Sequence, residues 1–500
     1  MAYTPVETWS RDLVDAAVGS LAQGVGSGVL IVNERHGLRP GSRDTKQETV
    51  PEPWSDPVSS QPTRPKDIAE PGGSGPRVVE DVAGQHSWRA LRRVSRLGTF
   101  AALHYREFRL LWAGQAATAM AMWMDQVVRG WLMYELTDSP MQLGLVQGIQ
   151  AVPILVLSPI AGSVADRYPR KRQLLVAQML AGLMYAALAL LIVTRRIQPW
   201  HVYATAFGMA IVQTFHQPAR AAMVADAVPP RHLTNAIGLS SIMFNVARST
   251  GPALAGFLIA AVGMASCYVV QVGFYGLAFV WTLWLQPDRH AAGSGPLASG
   301  ASFGHSIVEG WTFSWRHEAV RAGLLVMLFA SLFIVPFTTL LPVFARDLLA
   351  VGATGQGGLL TAMGVGALCS AVLLASCGDR LPRGLLMLGG VMLYGLSVVA
   401  FAASPSFHLS LTLMTVVGLA HVSSHALVQT VVQTYSPSAF RGRTMAIFHM
   451  SSVVLTLGST LAGMLATIVG ARWAVASMGA TGALLMVTLA VAQPRVRFIR

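Results

Sequence analysis

The residues best suited to chemistry are charged side chains inside long apolar stretches. Asp125 and Arg129 stand four residues apart in the predicted helix 110–135. Charged groups are costly in apolar surroundings and mark functional positions there. A carboxylate one helical turn from a guanidinium can hold a proton while the cation is turned away and release it when the pair forms. We interpret Asp125 as a candidate proton carrier. A static pair that stabilises the helix, or a carboxylate in a water-filled outer vestibule, would leave the same pattern.

A second charge, Arg248, lies near the middle of the predicted helix 234–262, which carries no acidic residue. Three kinds of partner are open to it. It could contact an anionic substrate, a coupling acid such as Asp125, or the carbonyl groups at a helix end. Arg129 and Arg248 therefore join Asp125 as candidates for proton coupling.

Two histidines, His421 and His425, repeat with Gln429 at every fourth position of one predicted helix. Residues four apart lie on one side of a helix, so the three form a slowly drifting polar stripe. Such a stripe is typical of a cavity lining, and it adds both histidines to the proton-coupling candidates. Histidines bonded to neighbouring serines are the competing interpretation. The spacing does not indicate a metal site, and we expect neither a metal nor a cofactor.

Methionine, aromatic and amide side chains suggest an adaptable pocket for apolar ligands. Any one of them could instead pack the bundle or face lipid. The candidates for the cavity lining are Gln115, Met122, Trp123, Asn245, Phe333, Phe337 and Gln429.

The elements that position these residues are membrane helices. The 500-residue chain is 53% hydrophobic and 12% charged, whereas about 25% charge is usual in soluble domains. Its apolar stretches are near the roughly 20 residues that cross a bilayer. We predict an all-α polytopic membrane protein with two six-helix halves. Its helices are 110–135, 142–164, 173–194, 201–222, 234–262, 266–285, 320–345, 357–377, 385–403, 408–432, 443–469 and 473–492.

Composition also divides the chain into segments. The first 85 residues are rich in proline, glycine, serine and mixed charge, which is typical of disorder. The predicted order is a disordered cytoplasmic tail (1–85), a basic amphipathic interfacial helix (86–109), the first half (110–285), a cytoplasmic linker with an interfacial helix (286–319), the second half (320–492) and a cytoplasmic tail (493–500).

The distribution of basic residues predicts the topology. The basic stretch before the first span and every second loop after it hold 22 Lys and Arg, whereas the alternate loops hold 4. Under the positive-inside rule this bias places both termini in the cytoplasm. It also accounts for the net charge of +13 without a nucleic-acid partner. The partners we expect are membrane lipids, a small-molecule substrate and protons, and we expect a monomer.

Two stretches repeat between the halves. GSVADRYPR at 162–170 is echoed by ASCGDRLPR at 375–383, an offset of 213 residues. Internal repeats of this kind are typical of secondary transporters. The stretch GSVADRYPRKR at 162–172 matches the loop signature of the major facilitator superfamily, and phrases such as FRLLWAGQ and GWLMYELTDSP resemble its bacterial drug-efflux and enterobactin-exporter-like branch. The resemblance covers about residues 105–495.

The loop signature has a physical interpretation as a latch. Gly162 would permit close helix packing, and the Asp166 carboxylate would sit against the start of a helix in the other half. The resemblance implies an acidic partner at the inner end of the fourth helix, for which Asp226 is the candidate. Latched halves would close the cytoplasmic side; residues that merely cap a turn and obey the positive-inside rule are the alternative. The full set is Gly162, Asp166, Arg167, Arg170, Arg172, Asp226, Asp379, Arg380 and Arg383.

A second motif, in the predicted helix 234–262, resembles the signature of the antiporter branch. Its residues are Gly238, Gly251, Pro252 and Gly256, while alanine replaces two of the family's glycines. Small residues would let a neighbouring helix approach closely, and the proline would bend the helix. The resemblance implies a seal against leakage in an exchanger, and ordinary small-residue packing is the alternative.

Together these features predict a secondary transporter, not an enzyme. We expect proton antiport that exports small amphipathic or drug-like molecules by alternating access. The expected location is the bacterial inner membrane. Export of an endogenous metabolite such as a siderophore, or uptake of a solute, are alternatives. Outside this class, the chain could be a membrane sensor or assembly protein that does not transport.

Overall fold

The computed structural model describes residues 100–286, 303–377 and 383–493. The predicted tail 1–85 lies outside the described residues. So do most of the predicted interfacial helix 86–109, all but the first residue of 493–500, the latch residues Asp379 and Arg380, and the side chain of Asp166.

The first half consists of helices joined by short connections. The predicted helix 142–164 is broken at Ile149 and Gln150. Pro153 explains the break, because a proline ring collides with the carbonyl group four residues earlier. The helices are α1 (Arg106–Thr137), α2 (Pro140–Gly148), α3 (Ala151–Arg167), α4 (Arg170–Val193), α5 (Pro199–Asp226), α6 (Leu233–Ala261) and α7 (Met264–Leu283).

The second half follows the same plan after a short preceding helix. Its first long helix is irregular, with π turns at Ala330–Ile334 and Phe344–Leu348 around a 3₁₀ stretch at Val335–Leu340. Pro336 and Pro342 each remove a backbone donor there. The helices are α8 (Phe303–Arg316), α9 (Glu318–Leu348), α10 (Gly352–Cys377), α11 (Arg383–Ala403), α12 (Phe407–Tyr435), α13 (Ser438–His449), α14 (Ser451–Val469) and α15 (Ala471–Ala492).

The predicted all-helical class is confirmed. The described residues contain no strand, and ten of their helical segments are long and apolar enough to cross a membrane. Helix α1, which carries Asp125 and Arg129, and the polar helix α5 lie outside those ten. A span count of twelve therefore stays a prediction. Exposed apolar side chains such as Leu183, Leu190 and Val193 suit contact with lipid.

The halves meet most closely at one end of the bundle. An ideal Cβ on Gly144 of α2 would lie 2.6 Å from the Ser459 carbonyl oxygen of α14. An ideal Cβ on Gly256 of α6 would lie 2.7 Å from the Ala353 carbonyl oxygen of α10. Only glycine allows backbones to approach so closely. Helix α1 ends at this side of the bundle, which we call the Thr137 end; the opposite side is the Arg106 end.

Candidate functional site

A central cavity of about 1090 Å³ lies between the halves. Its walls come from α1, α5 and α6 on one side and from α9, α10, α12, α13 and α14 on the other. The wall residues Gln217, Ile237 and Ser452 near the Arg106 end are exposed. The close glycine contacts lie at the other end. The cavity is thus accessible from the Arg106 end and closed at the Thr137 end.

Beyond the cavity, toward the Thr137 end, a smaller pocket of about 290 Å³ holds the predicted ion pair. An Arg129 nitrogen lies 2.5 Å from an Asp125 oxygen, and the two side chains are 6% and 14% exposed. The other carboxylate oxygen of Asp125 has no hydrogen-bond partner among the described residues. Met122, Trp123, Gln126 and Thr338 border both spaces. The pair therefore stands at the inner limit of the central cavity.

Arg129 also faces a group of buried tyrosines inside the first half. Tyr185 stacks on Tyr268 at 6.0 Å between ring centres and lies 5.6 Å from Tyr275. Tyr185 and Tyr268 lie near Arg129. These rings come from α4 and α7, so three helices fix the surroundings of the ion pair.

Arg248 projects into the central cavity. Its guanidinium carbon lies 5.4 Å from the centre of the Trp123 ring, a cation–π distance. Trp123 in turn packs edge-on against Phe244 at 5.7 Å. Within the described part of the chain, no carboxylate lies within ion-pair distance of Arg248. The suggested pairing of Arg248 with Asp125 is therefore absent from this conformation, in which Asp125 binds Arg129.

The histidines of α12 line the same cavity. His421 and His425 lie 6.4 Å apart between ring centres, and each contacts an aromatic ring, Tyr394 and Phe448 respectively. Both imidazoles lie across this cavity from Arg248. The described residues contain no group of three His, Cys, Asp or Glu side chains arranged to hold a metal ion.

Five of the predicted lining residues lie at the cavity wall: Gln115, Met122, Trp123, Asn245 and Gln429. The prediction is wrong for Phe333 and Phe337. Phe337 is 2% exposed and packs edge-on against Tyr394 and Phe401, whereas Phe333 lies near Gly482 of α15. The π and 3₁₀ turns of α9 change the angle between successive residues, so Ser331, Val335 and Thr338 face the cavity instead.

The glycine motif of α6 serves two contacts. Gly256 meets α10 of the other half, with Pro252 beside it, whereas an ideal Cβ on Gly251 would lie 2.8 Å from Trp123 of α1. The expected close approach therefore occurs at both glycines. It does not occur at Gly238, where an added Cβ would meet no heavy atom within 4 Å. Gly238 lies in the first turns of α6, near the Arg106 end where the halves stand apart.

The predicted latch lies at that separated end. Arg170 donates a hydrogen bond to Asp226, which joins the start of α4 to the end of α5 within the first half. Arg167 and Arg172 are exposed, and Arg383 is half-buried at the start of α11. Close packing at Gly162 is not observed among the described residues, since an added Cβ would meet none of their heavy atoms within 4 Å. The cavity is accessible from this end of the bundle.

A charged cluster at the Thr137 end was not predicted. Arg346 at the end of α9 contacts Asp138 at 2.7 Å and lies over the Tyr134 ring at 5.2 Å. The Tyr134 hydroxyl donates a hydrogen bond to Asp347. These contacts join residues more than 200 positions apart in the chain. No local pattern in the sequence could reveal them.

Further residues of the site were also missed. Arg220 and His449 line the central cavity, and Gln356 lines the smaller pocket with a buried amide oxygen that has no hydrogen-bond partner among the described residues. Arg220 was counted only as a cytoplasmic charge. Its helical spacing from Gln217 and Val224, which also line the cavity, is the signal that could have found it.

The comparisons with known proteins agree with this architecture. The chain is 27% identical to the multidrug efflux pump Tap of Mycolicibacterium fortuitum, over 73% of this chain and 90% of the pump. It is also 27% identical to the staphyloferrin A transporter of Staphylococcus aureus, over 70% of this chain and 86% of that protein.

The fold is shared with solved transporters. A bacterial homologue of the human lysosomal transporter Spinster, solved in an inward-facing and unoccupied conformation, superposes with a TM-score of 0.62 at 16% identity. The match covers 79% of this chain and 96% of that one. The family model described as transmembrane secretion effector matches residues 97–499. The chain belongs to this family of major facilitator transporters, which are membrane transporters and not enzymes.

Proposed function

We propose that this transporter exports small amphipathic or drug-like molecules in exchange for protons. The observation that carries the proposal is the position of the buried Asp125–Arg129 pair, at the inner limit of a cavity that only one end of the bundle exposes. A titratable pair beside the cavity lets proton uptake and substrate binding influence each other.

Export requires a conformation that takes up substrate from the cytoplasm, and this geometry combined with the charge bias supplies one. The predicted topology places the Arg106 end in the cytoplasm. The cavity would then load substrate from the cytoplasm in the described conformation. Rocking of the two halves would close the Arg106 end and open the Thr137 end. The ion pair Arg170–Asp226 and the surrounding basic loop lie where the predicted latch would engage in that second conformation.

The proton step would use the contacts around Asp125. In the described conformation the pocket beside Asp125 is bordered by Thr339 and Gln356 of the second half. Movement of the halves would therefore change the surroundings of the carboxylate. Proton uptake by Asp125 would release Arg129, and proton loss would restore the pair.

The relatives support a small-molecule substrate. Similar proteins carry the names multidrug efflux pump and staphyloferrin A transporter. Export of an endogenous metabolite is a second candidate, which the likeness to the staphyloferrin A transporter favours.

Transport in reconstituted vesicles tests the proposal. A proton gradient is imposed on proteoliposomes, and the movement of two fluorescent probes is followed, the cation ethidium and the carboxylate dansylglycine. We expect gradient-dependent movement of at least one probe, abolished by a protonophore. Movement of neither probe would contradict export of drug-like molecules. Movement that the protonophore leaves unchanged would contradict proton antiport.

A further inference from the structure

We propose that the central cavity selects anionic amphipathic molecules, with the carboxylate of the substrate bound at Arg248 and its apolar part against Trp123 and Phe244. This inference rests on the proposed transport function and adds the charge of the substrate to it.

The charged side chains among the described lining residues are two arginines, Arg220 and Arg248. The wall also carries the imidazoles of His421, His425 and His449, and no aspartate or glutamate is among its described lining residues. The nearby carboxylate of Asp125 borders the smaller pocket and is bound to Arg129. A surface lined in this way attracts anions and repels cations.

Arg248 is the cation best placed to bind a carboxylate. It lies between the halves, with Trp123 on its own side and the histidines of α12 across the cavity. The Arg248 guanidinium lies over the face of the Trp123 ring. This contact uses none of the guanidinium N–H groups as in-plane hydrogen-bond donors. The five guanidinium donors can therefore form the two parallel hydrogen bonds that a carboxylate accepts.

Arg220 is less available than Arg248. It lies close to the Arg106 end and donates a hydrogen bond to Gln217 at 3.2 Å. Arg129 is held by Asp125. Among the described residues neither Arg220 nor Arg248 has an ion-pair partner, but Arg248 is the one in the middle of the cavity, where a bound molecule would contact both halves.

The histidines place the site between the moving parts. His421 and His425 belong to the second half and lie across the cavity from Arg248 of the first half. A carboxylate bound to Arg248 could accept hydrogen bonds from these imidazoles as well. An anion in this position would contact both halves and would draw them together.

The apolar part of the substrate has suitable neighbours. Trp123 and Phe244 form an edge-on pair, and the opposite wall carries Met327, Met363 and Phe448. Flat rings and flexible methionines accommodate ligands of varied shape. The volume of about 1090 Å³ exceeds what a single aromatic acid fills. Charge therefore restricts the choice of substrate more strongly than shape does.

Direct binding to the full-length protein in detergent tests the inference without a proton gradient. The matched probes are dansylglycine, a carboxylate, and dansylglycinamide, its neutral amide. A charge-assisted contact predicts roughly tenfold to hundredfold tighter binding of the acid. In Arg248→Gln we expect the acid to bind no more tightly than the amide binds to the same variant. Arg248→Lys should retain most of the preference for the acid.

Controls separate binding from folding and from transport. Arg196→Gln removes an exposed arginine outside the cavity and should bind both probes as the unaltered protein does. Measurable amide binding in Arg248→Gln shows that the cavity persists. Equal affinity for acid and amide, binding of neither, or a preference for the acid that survives Arg248→Gln would overturn the inference. Acid binding without gradient-driven transport would contradict antiport and support the inference. Gradient-driven transport of ethidium alone would support antiport and contradict the inference.

Discussion

Arg346 lies 2.7 Å from Asp138, and this ion pair joins the end of α9 to the residue that follows α1. The hydrogen bond from Tyr134 to Asp347 connects the same two helices. Electrostatic contacts therefore supplement the glycine packing that closes the Thr137 end.

Removing this ion pair should favour opening of the Thr137 end. The Asp138 side chain is 72% exposed, so Arg346→Gln should cost the closed conformation at most about 1 kcal/mol, or roughly a fivefold change in population. Electron–electron distances between spin labels at the exposed positions Glu135 and His408 would report the opening. Arg346→Lys keeps the charge and should shift the distances less. Identical distance distributions in all three proteins would argue against a closing role.

A methyl group at Gly256 should also favour opening of the Thr137 end, in this case by a steric clash. In Gly256→Ala the new Cβ would lie 2.7 Å from the Ala353 carbonyl oxygen, so α6 and α10 must separate. Overpacking of this kind costs about 1–3 kcal/mol. Gly273→Ala is the matched control, because its Cβ would meet no heavy atom within 4 Å. Thermal unfolding and the same spin-label distances would distinguish the two, and equal behaviour would refute the steric explanation.

Much of this architecture can be predicted from the sequence. Long apolar stretches mark the helices, because a bilayer demands a minimum apolar length. The spacing of Asp125 and Arg129 predicts their contact, since residues four apart meet on a helix. His421, His425 and Gln429 line the cavity together for the same reason, because residues four apart share one side of a helix.

The regular spacing of residues along a helix cannot predict the remaining features. The irregular turns of α9 reorient Phe333 and Phe337, so a regular periodicity assigns them to the wrong surface. The contact of Arg346 with Asp138 depends on how the two halves dock. The open space at Gly162 depends on which end of the bundle is closed, and that belongs to the conformation.

The ion pair Arg170–Asp226 should affect transport more than stability. Its side chains are 19% and 35% exposed, and pairs of this kind contribute roughly 0–1 kcal/mol. We expect Asp226→Asn to unfold at nearly the same temperature and to transport more slowly, because the predicted latch loses its partner. Glu107→Gln, which removes another carboxylate at the Arg106 end, serves as the control. Equal transport rates in the two variants would contradict the predicted role of Asp226 in the latch.

The role of Asp125 is tested most directly by comparing exchange with gradient-driven transport in the same vesicles. Asn has nearly the shape of Asp but takes up no proton, so Asp125→Asn should still exchange labelled for unlabelled probe at zero gradient. It should fail to accumulate the probe when a proton gradient is imposed. Asp125→Glu should restore part of the accumulation. Accumulation by Asp125→Asn at the level of the unaltered protein would contradict the assignment of Asp125 as the proton carrier.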